Sequence, residues 1–189
     1  MTAITLLIFA LGLSLVGVQL LNHRRLLKNT QLQFKESFIQ VDLELQKRNA
    51  GVPELIEISK KYLLQERPLL EQLVHARNRA TAALQKVTVN PLNCELIKEL
   101  CLTEVEFQQA HTQFLMTASS NPLLMEQPKM IDLLKSATHS QNQIALAIES
   151  CNQSLSHYNQ QREKFPFVLF SIILGFQTIA LLDFSKKNN

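Results

Sequence analysis

The chain has 189 residues, of which 46% are hydrophobic, and a formal net charge of +3 at pH 7. Basic residues crowd into a short stretch near the N-terminus, so the rest of the chain is close to neutral and lacks the basic stripe that nucleic-acid binding needs. Four glycines, two tyrosines and no tryptophan are untypical of a β-rich domain. We therefore expect one helical domain that does not bind nucleic acid.

The first apolar segment, residues 3–21, carries no ionisable side chain, and the first one after it is His23. As a helix this segment would be roughly 28 Å long, which matches the hydrocarbon core of a bilayer. A cleaved signal peptide would need a basic start, a shorter apolar core and small residues before the cut, and none of these is present. Residues 1–22 are therefore predicted to form an uncleaved transmembrane anchor.

The flanks of this anchor predict its orientation. Arg24, Arg25, Lys28 and Lys35 all follow it, and only the α-amino group precedes it, so the positive-inside rule predicts an outside N-terminus and a cytoplasmic body. Cysteine usage agrees with a cytoplasmic body. The three cysteines are odd in number, and Cys94 and Cys101 would lie about 10 Å apart along a helix, which is too far for a disulfide. Free thiols are typical of a reducing compartment.

The body, residues 23–164, divides into four long stretches whose apolar residues recur every three or four positions. Gly51 is expected to end the first helix, Pro53 to open the second, and Pro68 to kink the second without ending it. Short connections predict an all-α, antiparallel, up-and-down four-helix bundle that continues directly from the anchor. The predicted helices span residues 22–48, 53–87, 92–118 and 128–164.

The last of these helices has the clearest core seam, in which Gln141 is the one polar member and needs partners across the bundle. The seam comprises Met130, Leu134, Ala137, Gln141, Ile144, Ile148, Cys151, Leu155 and Tyr158.

A second apolar segment, residues 165–182, follows the bundle and should return to the membrane face from which the first helix departs. It is at the length threshold for a membrane span. Spanning would carry Lys186 and Lys187 outside, against the positive-inside rule, although Arg162 and Lys164 balance them on the other flank. The alternatives are an interfacial helix or one packed on the base of the bundle. Residues 165–189 are thus predicted to be a short apolar helix at or in the membrane, with a basic tail.

Two ordered sets of residues resemble the LemA family over nearly the whole chain. In the N-terminal half, the family-like residues are the run 41–48, Pro53, Glu66 and Ala76-Arg77; in the C-terminal half they are Asn142-Gln143-Ile144-Ala145, Tyr158-Asn159, Phe165-Pro166 and Gly175-Phe176. The resemblance implies a single N-terminal membrane helix, a cytoplasmic antiparallel helical bundle and a bacterial origin. It implies little about activity, because the family has no well-established biochemical function.

The chain also departs from the pattern of that family. Ser119, Gln141 and Ile148 stand where members more usually have glutamate, glutamate and arginine, and Cys151 replaces a tyrosine. We interpret this as the concerted loss of a charged interhelical network, because an unpartnered buried charge is costly. Residues 177–180 are apolar where the family tends to be basic, which favours membrane contact.

The sequence predicts no catalytic, cofactor-binding or metal-binding residue and no small-molecule substrate. The five histidines lack metal-ligand spacing, the glycines are too far apart for a phosphate loop, and no serine lies in a Gly-x-Ser-x-Gly elbow. The cysteines are expected in the core. Carboxylates on the third helix, Glu95, Glu99, Glu104 and Glu106, are expected on a solvated face with charge pairing along the helix.

Asp42 and Arg48 lie near the predicted end of the first helix. They could form a surface that docks a partner, but an exposed ion pair or cap at the helix end is the favoured interpretation.

Three functions fit these patterns. The favoured one is a non-enzymatic, membrane-anchored helical scaffold of the bacterial inner membrane, whose partners are the lipid bilayer and other membrane proteins or copies of itself. The alternative is membrane shaping or lipid sensing through the anchor and residues 165–184. A receptor sensor domain between two membrane helices is disfavoured, because Arg24 and Arg25 point the body to the cytoplasm.

Overall fold

The structure is a computed structural model that describes residues 2–164 and 168–184, with side chains from Leu7 onward except that of Ile8. Among these residues it contains helices and no strand, so the predicted all-α fold is confirmed. The helices are α1 (Thr2–Ser59), α2 (Arg67–Val89), α3 (Cys94–Ser120), α4 (Pro122–Met125), α5 (Pro128–Glu163) and α6 (Val168–Ile173).

The four long helices form an antiparallel bundle, as predicted. α1 packs most extensively against α5, and α2 against α3, whereas α3 and α5 have little direct contact. Bonds between side chains show the antiparallel register: Glu54–Lys129 and Gln31–Tyr158 join α1 to α5, and Arg79–Glu106 and Lys86–Glu99 join α2 to α3.

Helix α1 runs through Gly51 and Pro53 to Ser59, so the predicted break at this point is wrong. Proline has no N–H, and the carbonyl of Asn49, four residues earlier, therefore loses its helical donor. Arg77 of α2 replaces that donor, because its Nε donates to the Asn49 carbonyl oxygen at 2.7 Å. A tertiary hydrogen bond thus keeps α1 continuous.

The predicted second helix is also wrong, because the chain leaves the helical conformation after Ser59 and α2 begins only at Arg67. Pro68 lies in the first turn of α2 instead of kinking a longer helix. A proline there loses no hydrogen bond, since the first N–H groups of a helix have no partner within it.

The remaining boundaries agree with the predictions to within about two residues, which is the usual uncertainty at helix ends. α3 begins where the side chain of Asn93 accepts hydrogen bonds from the backbone N–H groups of Glu95 and Leu96. α5 opens with Pro128 in its first turn. The short α4 occupies the predicted break between these two helices.

The hydrophobic core consists of two clusters stacked along the bundle. The base core, towards the N-terminal part of α1, includes Phe34, Leu45, Leu100, Leu155 and Tyr158. The distal core includes Val52, Leu73, Phe107, Phe114 and Met130. The predicted seam of α5 contributes buried residues to both clusters.

The N-terminal part of α1 extends beyond the base core, and large apolar side chains on it are exposed between Leu7 and Leu21. Within the described part of the chain, no helix combines the length and the apolarity needed to cross a membrane. The structure therefore does not support the transmembrane helix predicted for residues 3–21. Positions 3–6 and 8 of that stretch have side chains outside the described set.

Among the described residues of the second apolar segment, 168–182, the helix covers Val168–Ile173 and the rest is non-helical. Gly175 then adopts a φ of 76°, a conformation that glycine tolerates, and turns the chain. Residues 176–184 are non-helical and lie along the bundle; we call them the strap. The predicted Phe165-Pro166 match and the basic tail at Lys186 and Lys187 fall outside the described residues.

Candidate functional site

A buried ion pair joins α1 to α3 between the two cores. Arg48 Nη2 lies 2.7 Å from Glu104 Oε2 and 3.0 Å from Oε1, and the two side chains are only 4% and 1% exposed. Arg48 is therefore neither at a helix end nor on the surface, and both predictions made for it are wrong. Glu104 was expected on a solvated face and is buried instead.

Neighbouring polar groups complete this layer. Arg48 Nε and Nη2 both donate to Asn49 Oδ1, and Asn49 Nδ2 donates to Thr81 Oγ1 of α2 at 3.2 Å. The Arg48 guanidinium also stacks 4.3 Å from the centroid of the Phe107 ring. We refer to Arg48, Asn49, Thr81 and Glu104 as the polar layer.

The environment of this layer shifts two pKa values. Burial raises the pKa of the Glu104 carboxyl, and the charge of Arg48 opposes this shift. Burial, followed by the nearby positive charge of Arg48, lowers the pKa of His111 to about 4. His111 is therefore neutral at physiological pH.

The other carboxylates of α3, Glu95, Glu99 and Glu106, are exposed or half-exposed, as predicted. Glu95 pairs along its own helix with Lys98, whereas Glu99 and Glu106 pair with Lys86 and Arg79 of α2, so the predicted pairing along α3 is wrong for these two. Asp42 is half-buried and accepts a hydrogen bond from Gln46 of the same helix at 2.8 Å.

The remaining candidates have ordinary environments. Cys151 is buried, Cys94 and Cys101 are half-buried, and all are free thiols. His75, His139 and His157 are exposed, and the described residues contain no group of three or more His, Cys, Asp or Glu that could hold a metal ion.

An open groove of about 740 Å³ separates α3 from α5 beside the polar layer. We call it the α3/α5 groove. Gln141, the polar member of the predicted seam, is half-buried in its wall, and Ile148 lines it as well. The lining residues are Arg48, Val105, Gln108, Gln109, Thr112, Gln113, Met116, Gln141, Ile144, Ala145, Ile148, Leu182, Asp183 and Phe184.

On its other side the polar layer borders a smaller recess of about 290 Å³ between α1, α3 and α5. His111 and Ser140 line it, and the Oγ of Ser140 is buried without a hydrogen-bond partner among the described residues.

Two asparagines of α5 hold the strap in place. Asn152 Nδ2 donates to the Leu182 carbonyl and its Oδ1 accepts from the Leu182 N–H, both at 2.8 Å. Asn159 makes the same pair of bonds to Ile179, at 2.8 and 3.2 Å. Tyr158 Oη donates to the Gln177 carbonyl at 2.8 Å. The Tyr158-Asn159 and Gly175-Phe176 pairs, noted separately in the sequence, thus belong to one contact region.

A search of curated proteins finds no match. The model of the LemA family matches residues 37–189, a range that contains the polar layer, the groove and the strap. The chain therefore belongs to the LemA family.

Proposed function

We propose that this protein is a non-enzymatic, membrane-anchored helical scaffold of the bacterial inner membrane. The observation that carries the proposal is the exposed apolar part of α1. Leu7, Phe9 and Leu11 are each 68–69% exposed, and apolar side chains continue on the surface to Leu21. An exposed apolar surface of this kind is typical of a site that contacts a membrane or another protein.

The charges that follow this segment support a cytoplasmic bundle. Arg24 and Arg25 come directly after it, where the positive-inside rule expects basic residues on the cytoplasmic side. Because α1 continues without a break to Ser59, it would hold the bundle rigidly upright on the bilayer. The base core would then face the membrane and the distal core the cytoplasm.

A scaffold needs surfaces for its partners, which we propose to be other membrane proteins or further copies of this chain. The open α3/α5 groove supports this part of the proposal, because it leaves apolar and amide side chains of two rigid helices accessible. Such concave surfaces with a few convergent polar groups are typical of recognition sites.

In-cell crosslinking tests the scaffold proposal. The tagged full-length chain is crosslinked in growing cells, extracted in mild detergent and captured. We expect reproducible adducts with specific membrane proteins or with the chain itself. Leu13→Lys should abolish them by disrupting the anchor, whereas Leu146→Lys, at an exposed position far from the anchor, should preserve them. Recovery of an uncrosslinked monomer alone would contradict the proposal.

A second candidate function, lipid sensing, is favoured by the position of α6. His23, just after the apolar part of α1, lies 3.2 Å (Nε2 to Oγ) from Ser171 of α6. On the same helix Leu169, Ile172 and Ile173 are 62%, 59% and 78% exposed. A short helix with an apolar face at this level could lie in the membrane interface.

Vesicle flotation separates this function from simple anchoring. Replacing Leu169, Ile172 and Ile173 with serine should leave the anchor intact. It should make vesicle binding less dependent on anionic lipid or on curvature. Serine at the distal exposed residues Met116 and Leu123 is the matched control. If the α6 variant binds every vesicle composition as the unmodified chain does, lipid sensing through α6 is excluded.

A further inference from the structure

The charges of the chain are distributed unevenly between the base of the bundle and the rest of it. Residues 22–35, at the base, contain four basic residues and no acidic one. Residues 36–161, which supply most of the bundle, contain eleven basic and fourteen acidic residues. The base is therefore positively charged and the remainder of the bundle is negatively charged. Such an asymmetry attracts an anionic partner to the base and repels it from the rest.

The basic side chains at the base also differ from the others in their pairing. Six exposed lysines and arginines elsewhere form ion pairs with carboxylates. These pairs are Lys47–Glu44, Lys60–Glu57, Arg79–Glu106, Lys86–Glu99, Lys98–Glu95 and Lys129–Glu54. By contrast, the exposed cations of residues 22–35 and the one that ends α5 have no carboxylate partner among the described residues. They are Arg24, Arg25, Lys28, Lys35 and Lys164.

These cations come from two helices that meet at the base. Arg24, Lys28 and Gln31 are spaced by four and three residues, so they lie on one side of α1. Gln31 Nε2 donates to Tyr158 Oη at 3.4 Å, which shows that this side adjoins α5. Because α1 and α5 are antiparallel, the same register brings Lys164, at the C-terminal end of α5, to the level of Arg24.

The exposed apolar face of α6 lies at this level as well. His23, the residue before Arg24, lies 3.2 Å (Nε2 to Oγ) from Ser171 of α6. The exposed apolar side chains of α6 are Leu169, Ile172 and Ile173. Basic side chains next to an exposed apolar helical face are typical of a surface that lies in the interface of an anionic membrane.

We infer that the base of the bundle binds anionic phospholipid, with the headgroup phosphate at Arg24, Lys28 and Lys164 and the acyl chains against α6. A zwitterionic lipid carries a cation of its own beside the phosphate, so unpaired cations favour a lipid with net negative charge. Lys35 lies about 16 Å from Arg24 along α1, beyond the distance of about 10 Å over which salt leaves exposed charges effective, and contributes little.

The inference rests on the proposed membrane anchoring and specifies the class of lipid that α6 would recognise. Tryptophan fluorescence tests it, because the chain has no tryptophan of its own. The full-length Leu169→Trp and Leu13→Trp variants are reconstituted in vesicles with equal amounts of phosphatidylglycerol and phosphatidylcholine. In each preparation only one of the two lipids carries brominated acyl chains, which quench tryptophan. We expect brominated phosphatidylglycerol to quench Leu169→Trp more strongly, and both lipids to quench Leu13→Trp equally.

Charge variants in the Leu169→Trp background test which cations are responsible. One Lys or Arg near an anionic surface contributes about fivefold to the affinity. Arg24→Gln with Lys28→Gln should therefore lower the preference for phosphatidylglycerol at least about fivefold. Lys60→Gln with Lys61→Gln removes the same charge at the distal end and should leave the preference unchanged. All four side chains are exposed, so circular dichroism should show equal helicity and melting for both double variants.

Three results would overturn the inference. Equal quenching of Leu169→Trp by the two lipids would mean that no anionic lipid is selected. Loss of the preference in Lys186→Gln with Lys187→Gln, but not in Arg24→Gln with Lys28→Gln, would assign it to the C-terminal lysines. Loss on addition of inorganic phosphate, but not of sodium chloride at equal ionic strength, would indicate a site for free phosphate.

Leu13→Trp separates failure of this inference from failure of the proposed function. If both lipids quench Leu13→Trp while any of these three results is obtained, the anchoring stands and the headgroup inference alone fails. If neither lipid quenches Leu13→Trp, the proposed anchoring fails and the inference fails with it.

Discussion

The base and distal halves of the bundle are built from the same four helices, but the space between α3 and α5 is filled in one half and open in the other. In the base half the strap fills it, and Ile179 and Leu182 become part of the core. In the distal half it stays open as a groove of about 740 Å³. Close packing within the α1/α5 and α2/α3 pairs thus does not require every side of a bundle to be closed.

The polar layer lies where the two halves meet. Arg48 and Glu104 are both buried, yet they bond to one another, and Arg48 also donates to Asn49, so neither charge is left unpaired. Such a layer adds little net stability compared with apolar residues, but it disfavours any register of α1 against α3 that would separate the pair. The following changes test this division of the molecule, from the largest expected effect to the smallest.

Glu104→Ala should have the largest effect, because it leaves the Arg48 charge buried without its partner. We expect a loss of about 3–5 kcal/mol in the free energy of unfolding, measured by urea titration. Glu106→Ala, on the same helix, breaks the exposed pair with Arg79 and should cost less than about 1 kcal/mol. Arg48→Met combined with Glu104→Leu should recover most of the stability. Equal losses for Glu104→Ala and Glu106→Ala would contradict a buried pair.

His111 should make the distal half sensitive to acid. Its pKa is lowered from 6.5 to about 4 in the folded state, so the unfolded state binds more protons between these values and stability falls as the pH drops through that window. The full effect is on the order of 3 kcal/mol. His111→Gln should remove this part of the pH dependence, as seen by comparing urea midpoints at pH 7 and pH 4.5. If the urea midpoint falls as much between these two pH values in His111→Gln as in the unmodified chain, His111 is protonated without a cost in stability.

Asn152→Ala should loosen the strap and leave the distal half intact. It removes two hydrogen bonds, each with a net contribution of about 1 kcal/mol. Hydrogen exchange should accelerate at the amides of Leu182 and Ile179 and stay unchanged in the distal part of α3. Asn142→Ala, an exposed asparagine of the same helix, is the control. Uniform acceleration across both halves would mean that they do not open separately.

Arg77→Met should have the smallest effect, a loss of about 1 kcal/mol, because it removes the donor that replaces the missing N–H of Pro53. Pro53→Ala restores a backbone donor to the Asn49 carbonyl. The two changes should therefore be non-additive, and the double variant should be more stable than the sum of the single effects predicts. Strict additivity in thermal unfolding would contradict this account of the continuous helix.

The sequence predicted the long helices because their apolar periodicity is strong, but it could not predict how a proline would be accommodated. Whether α1 continues through Pro53 depends on the hydrogen bond from Arg77, a residue of another helix, to Asn49. Local sequence patterns do not predict tertiary contacts of this kind. The predicted kink at Pro68 is wrong for a related reason, since a proline is equally compatible with a kink and with a helix start.

The polar layer could have been found in the sequence. Arg48 continues the apolar stripe of Val41, Leu45, Val52 and Leu55, all of which are buried, at the same spacing of three or four residues. A charge within such a stripe indicates a buried partner, and Glu104 occupies the equivalent position between Leu100 and Phe107 of α3. The strap could not have been predicted in this way, because its apolar spacing of three residues resembles that of a helix.

The depth of three labels in lipid vesicles tests the membrane-anchored account most directly. Serine replaces Cys94 and Cys101, while Cys151 is kept, because burial raises its pKa to about 11 and it stays unreactive. Single cysteines at Leu13, Ile172 and Leu123 then carry an environment-sensitive fluorophore. The account predicts blue-shifted, quencher-protected emission at Leu13, an interfacial signal at Ile172 and aqueous emission at the distal Leu123. Aqueous emission at Leu13, equal to that at Leu123, would contradict the anchor.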